Sequence, residues 1–172
     1  MIIGGWRGPG WRVIDPDPRH GGQIRDQIRS VVSGHGCPVD PADAALVTSE
    51  LFANAVMHGP AGGRVLLGYC LWRDGARIVV CDGGGPRMPR LRECSDLAEG
   101  GRGLHVVDSL AARWGSFRMS GALVVWCDLG QPLRASDSDA WAWLRLILSV
   151  CPLWPPALMA TVPGALAGSC AS

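Results

Sequence analysis

Apolar residues recur at helical spacing in two segments of the first 60 residues. From Gly21 to Ser33 the apolar positions lie on one face of a helical wheel, and the charged residues lie elsewhere on it: Ile24, Ile28, Val31 and Val32 against Arg25, Asp26 and Arg29. The second segment, ADAALVTSELFANAVMHG, continues for more than four turns and stops at Gly59 and Pro60. The pattern therefore predicts two consecutive helices.

Short aliphatic runs replace the helical pattern after these helices. RVLLGYCLWR and ARIVVCD are separated by Asp74 and Gly75, a strong hairpin signal. A glycine- and proline-rich loop follows Asp82, then the short helical pattern LHVVDSLAARWG, then two strands near 114–119 and 122–129. This order predicts an α/β two-layer sandwich over residues 12–130, in which helices cover one face of a mixed, mostly antiparallel sheet.

The character of the chain changes after Gly130. Residues 146–172 carry no charged side chain, and the stretch is apolar enough to be weighed as a membrane span. Four prolines interrupt it and Arg145 lies at its leading edge. The favoured interpretation of residues 131–172 is therefore a Pro- and Trp-rich apolar tail, disordered or loosely packed, without membrane contact.

The basic residues are all arginines: the chain has 16 of them and no lysine, against 15 acidic residues. The absence of lysine excludes P-loop NTPases, pyridoxal-phosphate enzymes and eukaryotic-type protein kinases. The net charge of +1 gives no general attraction to nucleic acid. Seven scattered cysteines without metal-ligand spacing, and no secretory signal pattern, indicate a reduced, cytoplasmic setting.

A row of polar residues interrupts the apolar second helix. Glu50, Asn54 and His58 follow one another at intervals of four and so share one side of the helix. The amide oxygen of Asn54 is a ligand that magnesium accepts beside phosphate oxygens, and Glu50 could act as a general base next to that metal. Taken alone, the row is also compatible with an ordinary surface helix.

Two glycine-rich segments supply the other candidate site residues. Asp82 ends a strand and precedes three glycines, so its carboxylate could accept a hydrogen bond from the amine of adenine. In EGGRGLHVV, glycines lead into a helix start, where backbone amides and the helix dipole favour phosphate, and Arg102 adds a positive charge. Each segment alone is also compatible with a turn or a linker.

Together these motifs resemble the nucleotide-binding boxes of the GHKL superfamily, which unites histidine kinases, Hsp90 chaperones, type II topoisomerases and anti-sigma-factor kinases. LVTSELFANAVMHG and GGRGLHVVDSLAARWG look most like the small stand-alone anti-sigma-factor serine/threonine kinases. The resemblance, over residues 20–130, implies the histidine kinase/Hsp90-like ATPase fold with ATP and Mg²⁺ as cofactors. It implies that Glu50 is the catalytic base, that Asn54 holds magnesium, and that the remaining nucleotide contacts are Asp82, Gly84, Gly101, Arg102, Gly103 and Leu104. His105, the GGG run and the tail depart from the family pattern.

The resemblance implies a serine/threonine kinase that acts on an anti-anti-sigma-type protein, with a sigma factor as a further partner and no direct contact with nucleic acid. Two alternatives stay open. One is a nucleotide-dependent binding or switch module without useful turnover, and the other is a histidine-kinase fragment. The latter needs a phosphoacceptor histidine followed by an acidic residue, whereas His20 is followed by Gly21 and Gly22. A homodimer is also compatible with the sequence.

Overall fold

The helices and strands follow one another along the chain in an order close to the one expected. The computed structural model describes residues 7–60, 62–84, 89, 102–119 and 121–132. The helices are α1 (Gly21–His35), α2 (Pro41–His58) and α3 (Arg102–Leu110), and a short 3-10 segment, Pro18–His20, precedes α1. The strands are β1 (Arg7–Ile14), β2 (Val65–Trp72), β3 (Gly75–Asp82), β4 (Arg113–Met119) and β5 (Ala122–Gly130).

The strands form one sheet in the order β1-β2-β3-β5-β4, and every neighbouring pair is antiparallel. The predicted α/β fold with a mostly antiparallel sheet is confirmed. Strand β1 was not expected from the sequence, because Pro9 and Gly10 weaken a strand pattern. Position 10 accommodates glycine and no larger residue, because a Cβ there would lie only 2.1 Å from the Tyr69 ring on β2. The sheet thus gains an edge strand that begins before residue 12.

The two hairpins have tight turns. Trp72 pairs with Gly75, so the β2–β3 turn consists of Arg73 and Asp74, one residue earlier than the expected Asp74 and Gly75. In the β4–β5 hairpin Met119 pairs with Ala122, and Gly121 has a φ of 89°, a left-handed conformation that glycine adopts without strain. This second turn lies at the end of the sheet where β3 finishes, because Asp82 pairs with Leu123.

Helix α2 is the central helix of the layer that covers the sheet. Asp40 caps its start by accepting a hydrogen bond of 2.7 Å from the Ala42 amide, and Pro41 occupies the first turn. Its buried face packs against α1, α3 and the sheet: Ala44, Ala45, Val47, Thr48, Leu51, Phe52 and Ala55. The polar row beside this face is therefore held in a fixed position by the packing of the buried residues.

Helix α3 is shorter than the sequence pattern suggested. It ends at Leu110, and the Ala112 amide already donates to the carbonyl of Asp128 in β5. Residues 113–115, which continued the helical pattern, belong to β4 instead. These residues form a strand and do not continue the helix, because pairing with β5 satisfies their backbone hydrogen-bonding groups.

The other face of the sheet carries a buried ion cluster. Asp128 is fully buried and accepts hydrogen bonds of 2.6 and 2.9 Å from Arg77 and of 2.8 Å from Arg113. The Arg77 guanidinium lies 4.7 Å from the centre of the Trp126 ring. Cys70 and Cys127 are also buried, and burial raises the pKa of each thiol to about 12. These thiols are therefore unreactive at neutral pH.

The compact unit that contains the described residues ends at Pro132. The expected domain boundary after residue 130 and the apolar tail stay predictions, because residues 133–172 lie outside the described part of the chain. Among the described helices, none has the length and apolar character needed to cross a membrane.

Candidate nucleotide-binding site

The polar row on α2 lies at the boundary between the buried helix layer and the surface. Glu50 and Asn54 are half-buried, and His58 is exposed. The Asn54 amide nitrogen is buried, yet it has no hydrogen-bond partner among the described residues. Because an orphaned buried polar atom costs free energy, Asn54 requires a partner that this part of the protein does not supply.

The Glu50 carboxylate lies against the first turn of α3. A Cβ built on Gly103 would be 2.6 Å from Glu50 Oε2 and 3.6 Å from Glu50 Cβ. The absence of a side chain at position 103 is thus what allows the two helices to approach here. The free backbone amides at the start of α3 carry the positive end of the helix dipole, so this contact combines a carboxylate with a surface that favours anions.

Asp82 lies at the end of β3 and is 5% exposed. Its Oδ1 accepts a hydrogen bond of 2.6 Å from the Gly84 amide. Burial raises the pKa of this carboxyl above its ordinary value, and the Gly84 hydrogen bond and the positive charges of Arg118 and His58 oppose the rise. A buried carboxylate with one oxygen held by the backbone retains an acceptor for a ligand.

The backbone around Asp82 is closely packed on both sides. On the α2 side, a Cβ on Gly59 would lie 3.6 Å from Asp82 Cβ, and one on Gly83 would lie 2.7 Å from Pro60 Cγ. On the other side, Gly84 has a φ of 76°, and a Cβ there would lie 1.9 Å from the carbonyl oxygen of Gly121. Gly83 and Gly84, the first two residues after β3, are therefore packed between the end of α2 and the β4–β5 turn.

The described residues bring most of the expected site together. The C-terminal half of α2 is adjacent to α3 through Glu50 and Gly103, and to the end of β3 through Gly59 and Asp82. Leu104 is half-buried in α3. Gly101 and the Arg102 side chain lie outside the described part, so their expected phosphate contacts stay predictions.

Arg118 is the neighbour of Asp82 that the sequence analysis did not identify. It is exposed on β4, and its Nη1 is 3.2 Å from where a Gly84 Cβ would be. A single arginine in a short strand carries no motif, and only the pairing of β4 with β5 brings it near Asp82. No group of three or more His, Cys, Asp or Glu side chains in the described ranges could hold a metal ion by itself.

Comparison with protein families decides which fold family this site belongs to. Residues 14–125 match the family model of the histidine kinase-like ATPase domain. The chain belongs to this family. The resemblance to the GHKL superfamily is thereby confirmed, and family membership supports ATP as the nucleotide and a kinase or ATPase type of activity.

One solved structure agrees with the family at the level of the fold. The chain is similar to the structure of the RsbU and RsbW domains of Rv1364c from Mycobacterium tuberculosis, with 22% identity, a TM-score of 0.54 and 74% of this chain covered. The chain spans only 34% of that protein's chain. It is also similar to the histidine kinase domain of a blue-light-activated histidine kinase from Erythrobacter litoralis, with 23% identity and a TM-score of 0.40. This match covers 65% of this chain and 63% of that chain. No curated protein matches the chain.

Proposed function

We propose that this histidine kinase-like ATPase domain is a magnesium-dependent serine/threonine protein kinase of the anti-sigma-factor type. Its substrate would be a hydroxyl of a small anti-anti-sigma-type protein, and a sigma factor would be its second partner. The observation that carries the proposal is the contact of Glu50 with the N-terminal turn of α3, one turn from the Asn54 amide nitrogen, which has no partner among the described residues. The solved structure with an RsbW domain supports the fold of such a kinase.

Asp82 is suited to recognise the base. As a carboxylate it only accepts hydrogen bonds, so it pairs with the exocyclic amine of adenine and repels the carbonyl that guanine has at that position. Its Oδ1 is fixed by the Gly84 amide, and its burial excludes water from competing for the remaining acceptor sites. A fixed, buried acceptor of this kind selects between two purines.

Asn54 fits the role of magnesium ligand. Magnesium takes few protein ligands and completes its shell with water and phosphate oxygens, so one amide oxygen from α2 is sufficient. The buried amide nitrogen of the same side chain lacks a partner among the described residues, and a bound phosphate or water oxygen would supply one. When bound, magnesium would neutralise the charge of the phosphates.

Glu50 is suited to act as general base. Its carboxylate lies at the start of α3, where phosphate is favoured, and four residues from Asn54 on the same side of α2. A serine hydroxyl that approaches the terminal phosphate from the surface would meet this carboxylate and transfer its proton to it. Glu50 thus has no need to bind the nucleotide itself.

The Glu50→Gln variant separates phosphate transfer from the binding of magnesium-ATP. This variant keeps size and polarity and should bind magnesium-ATP nearly normally, while transfer to a partner serine, or slow hydrolysis without a partner, falls by roughly 10²- to 10⁴-fold. Ser49→Ala, on the neighbouring position of α2, is the matched control and should keep full turnover. Unchanged turnover in Glu50→Gln would refute the assignment of Glu50 as general base, whereas ATP binding without turnover in the wild type would favour the switch module without catalysis.

A further inference from the structure

Exposed apolar side chains are concentrated on one face of α2. Three large apolar residues are exposed in the described part of the chain, and two of them, Leu46 (40% exposed) and Met57 (62%), belong to this helix. Ala53 lies between them and is also exposed. Positions 46, 53 and 57 are separated by about two turns and one turn of helix, so they lie on the same face. These three residues form an apolar stripe along α2.

Glu50 borders this stripe. At 3.6 residues per turn, the three stripe residues lie within about 60° of Glu50 around the helix axis, all on one side, and Asn54 lies about 40° away on the other side. The Glu50 carboxylate also contacts the first turn of α3 at Gly103. The carboxylate therefore stands between the candidate nucleotide site and the exposed stripe.

The position of Glu50 gives the stripe a role in binding a protein substrate. Isolated exposed apolar residues are common and need no partner. A hydroxyl, however, can lose its proton to Glu50 only within hydrogen-bond distance, so the surface that presents it must cover the residues beside Glu50. In the transfer, the serine Oγ bonds to the terminal phosphorus, the bond from that phosphorus to the bridging oxygen of ADP breaks, and the hydroxyl proton passes to Glu50.

The charges of α2 narrow the chemistry of the partner. Asp43 and Glu50 are its carboxylates, seven residues apart on the same side, and the helix contains no arginine. A complementary surface is therefore apolar and carries a positive charge. We propose that the stripe binds the protein substrate through a segment in which the acceptor serine or threonine is flanked by apolar side chains and a basic residue. This inference rests on the proposed kinase function and names the kind of segment that such a kinase accepts.

The first experiment measures kcat/KM for two synthetic peptides that have a central serine and terminal arginines. One peptide has leucine around the serine and the other has glutamine. The wild type should prefer the leucine peptide by roughly tenfold, since burial of one large apolar side chain is worth about that factor. The preference should fall toward one in Leu46→Gln and in Met57→Gln, which keep a good helix former on α2. A ratio of two peptides cancels any general change in turnover.

Trp11→Gln is the matched control. Trp11 is the third exposed large apolar residue, 43% exposed, and it lies on β1 away from α2. The same change from apolar to polar should leave the peptide preference at the wild-type value. A third peptide, with leucine around the serine and glutamates in place of the arginines, should have a lower kcat/KM than the first. Equal values for these two peptides would refute the basic residue in the proposed segment.

The second experiment measures binding without nucleotide or catalysis. The ¹⁵N and ¹H amide shifts of Leu46 and Met57 are followed by NMR while the leucine peptide, with alanine in place of its serine, is added. These amides should shift in the wild type and in Trp11→Gln. The shift of the Leu46 amide should be much smaller in Met57→Gln, because one of the two large apolar contacts is lost.

The outcomes distinguish this inference from the proposed function. Equal kcat/KM for the leucine and glutamine peptides in the wild type, or no amide shift at the stripe, would overturn the inference even if the protein is an active kinase. Binding at the stripe without phosphorylation of any peptide would support the docking surface and refute the kinase function. A wild-type dimer that dissociates in Met57→Gln, measured by sedimentation velocity without peptide, would assign the stripe to a second copy of the chain and also overturn the inference.

Discussion

Replacing Gly103 by alanine tests whether the Glu50 carboxylate must stay at the first turn of α3. The new Cβ would lie 2.6 Å from Glu50 Oε2, whereas ordinary contact begins at 3.4 Å, so the carboxylate must move by about 0.8 Å (3.4 − 2.6). A displacement of about 1 Å in a catalytic group can cost on the order of 10²-fold in rate. Turnover of Gly103→Ala should therefore fall by roughly 10- to 10²-fold.

The fold should tolerate this change. Alanine in a helix is more stable than glycine by about 0.5–1 kcal/mol, and forcing a flexible side chain off its rotamer costs about 0.5–1.5 kcal/mol. The two effects nearly cancel, so the free energy of unfolding of Gly103→Ala should stay close to that of the wild type. Gly34→Ala is the matched control, because Gly34 lies in α1 with nothing within 4 Å of a Cβ. It should be more stable and fully active.

The assay combines urea unfolding, followed by circular dichroism, with phosphate release from magnesium-ATP. A double-mutant cycle with Glu50→Ala checks the cause: if Gly103→Ala acts by displacing the carboxylate, it should not lower turnover any further once that carboxylate is gone. Full turnover in Gly103→Ala, together with slow turnover in Glu50→Gln, would refute the need for this contact.

Three substitutions test the surroundings of the site. Asp82→Asn should be more stable than the wild type at pH 7 in urea unfolding. The pKa of Asp82 in the folded protein is raised above its ordinary value of 3.8. The contribution of this carboxyl to stability is therefore full below pH 3.8 and is lost as the pH rises through the folded pKa. The difference in the free energy of unfolding between Asp82→Asn and the wild type should accordingly shrink at acid pH. The same variant should lose about 1–3 kcal/mol of ATP affinity in calorimetry. Gly84→Ala should lower the free energy of unfolding by at least about 1–2 kcal/mol, because position 84 has a positive φ and the Gly121 carbonyl oxygen occupies the space of the new Cβ. Wild-type stability of this variant in urea unfolding would contradict the close packing at Gly84. Asp128→Asn should cost about 3–5 kcal/mol by leaving the Arg77 charge buried without its counter-ion, and a loss below 1 kcal/mol would contradict that assignment.

The helices and hairpins could be predicted because their signals are local. The spacing of apolar residues gave α1 and α2 nearly to their ends, and Gly121 marked the last hairpin turn. β1 could not be predicted, since a strand that contains Pro9 and Gly10 is stabilised by pairing with β2 and not by its own pattern. The end of α3 depended in the same way on a distant strand.

The site could be predicted in its parts but not in its arrangement. The polar row of Glu50 and Asn54 follows from helical spacing, whereas the contact of Glu50 with Gly103 depends on how α2 and α3 pack. The buried charge cluster around Asp128 and the approach of Arg118 to Asp82 arise only from strand pairing. Charged residues of this kind look like ordinary surface residues in a sequence, because nothing local distinguishes them.

The central claim is that this chain holds ATP through magnesium at Asn54. Calorimetric titration of ATP, with and without magnesium, into the wild type and Asn54→Ala tests it most directly, with Gln23→Ala on the exposed side of α1 as control. The account predicts binding of ATP to the wild type and to Gln23→Ala that requires magnesium, and loss of that binding in Asn54→Ala. Equal, magnesium-dependent binding of ATP by Asn54→Ala and the wild type would contradict it, since the polar row on α2 would then not be the nucleotide site.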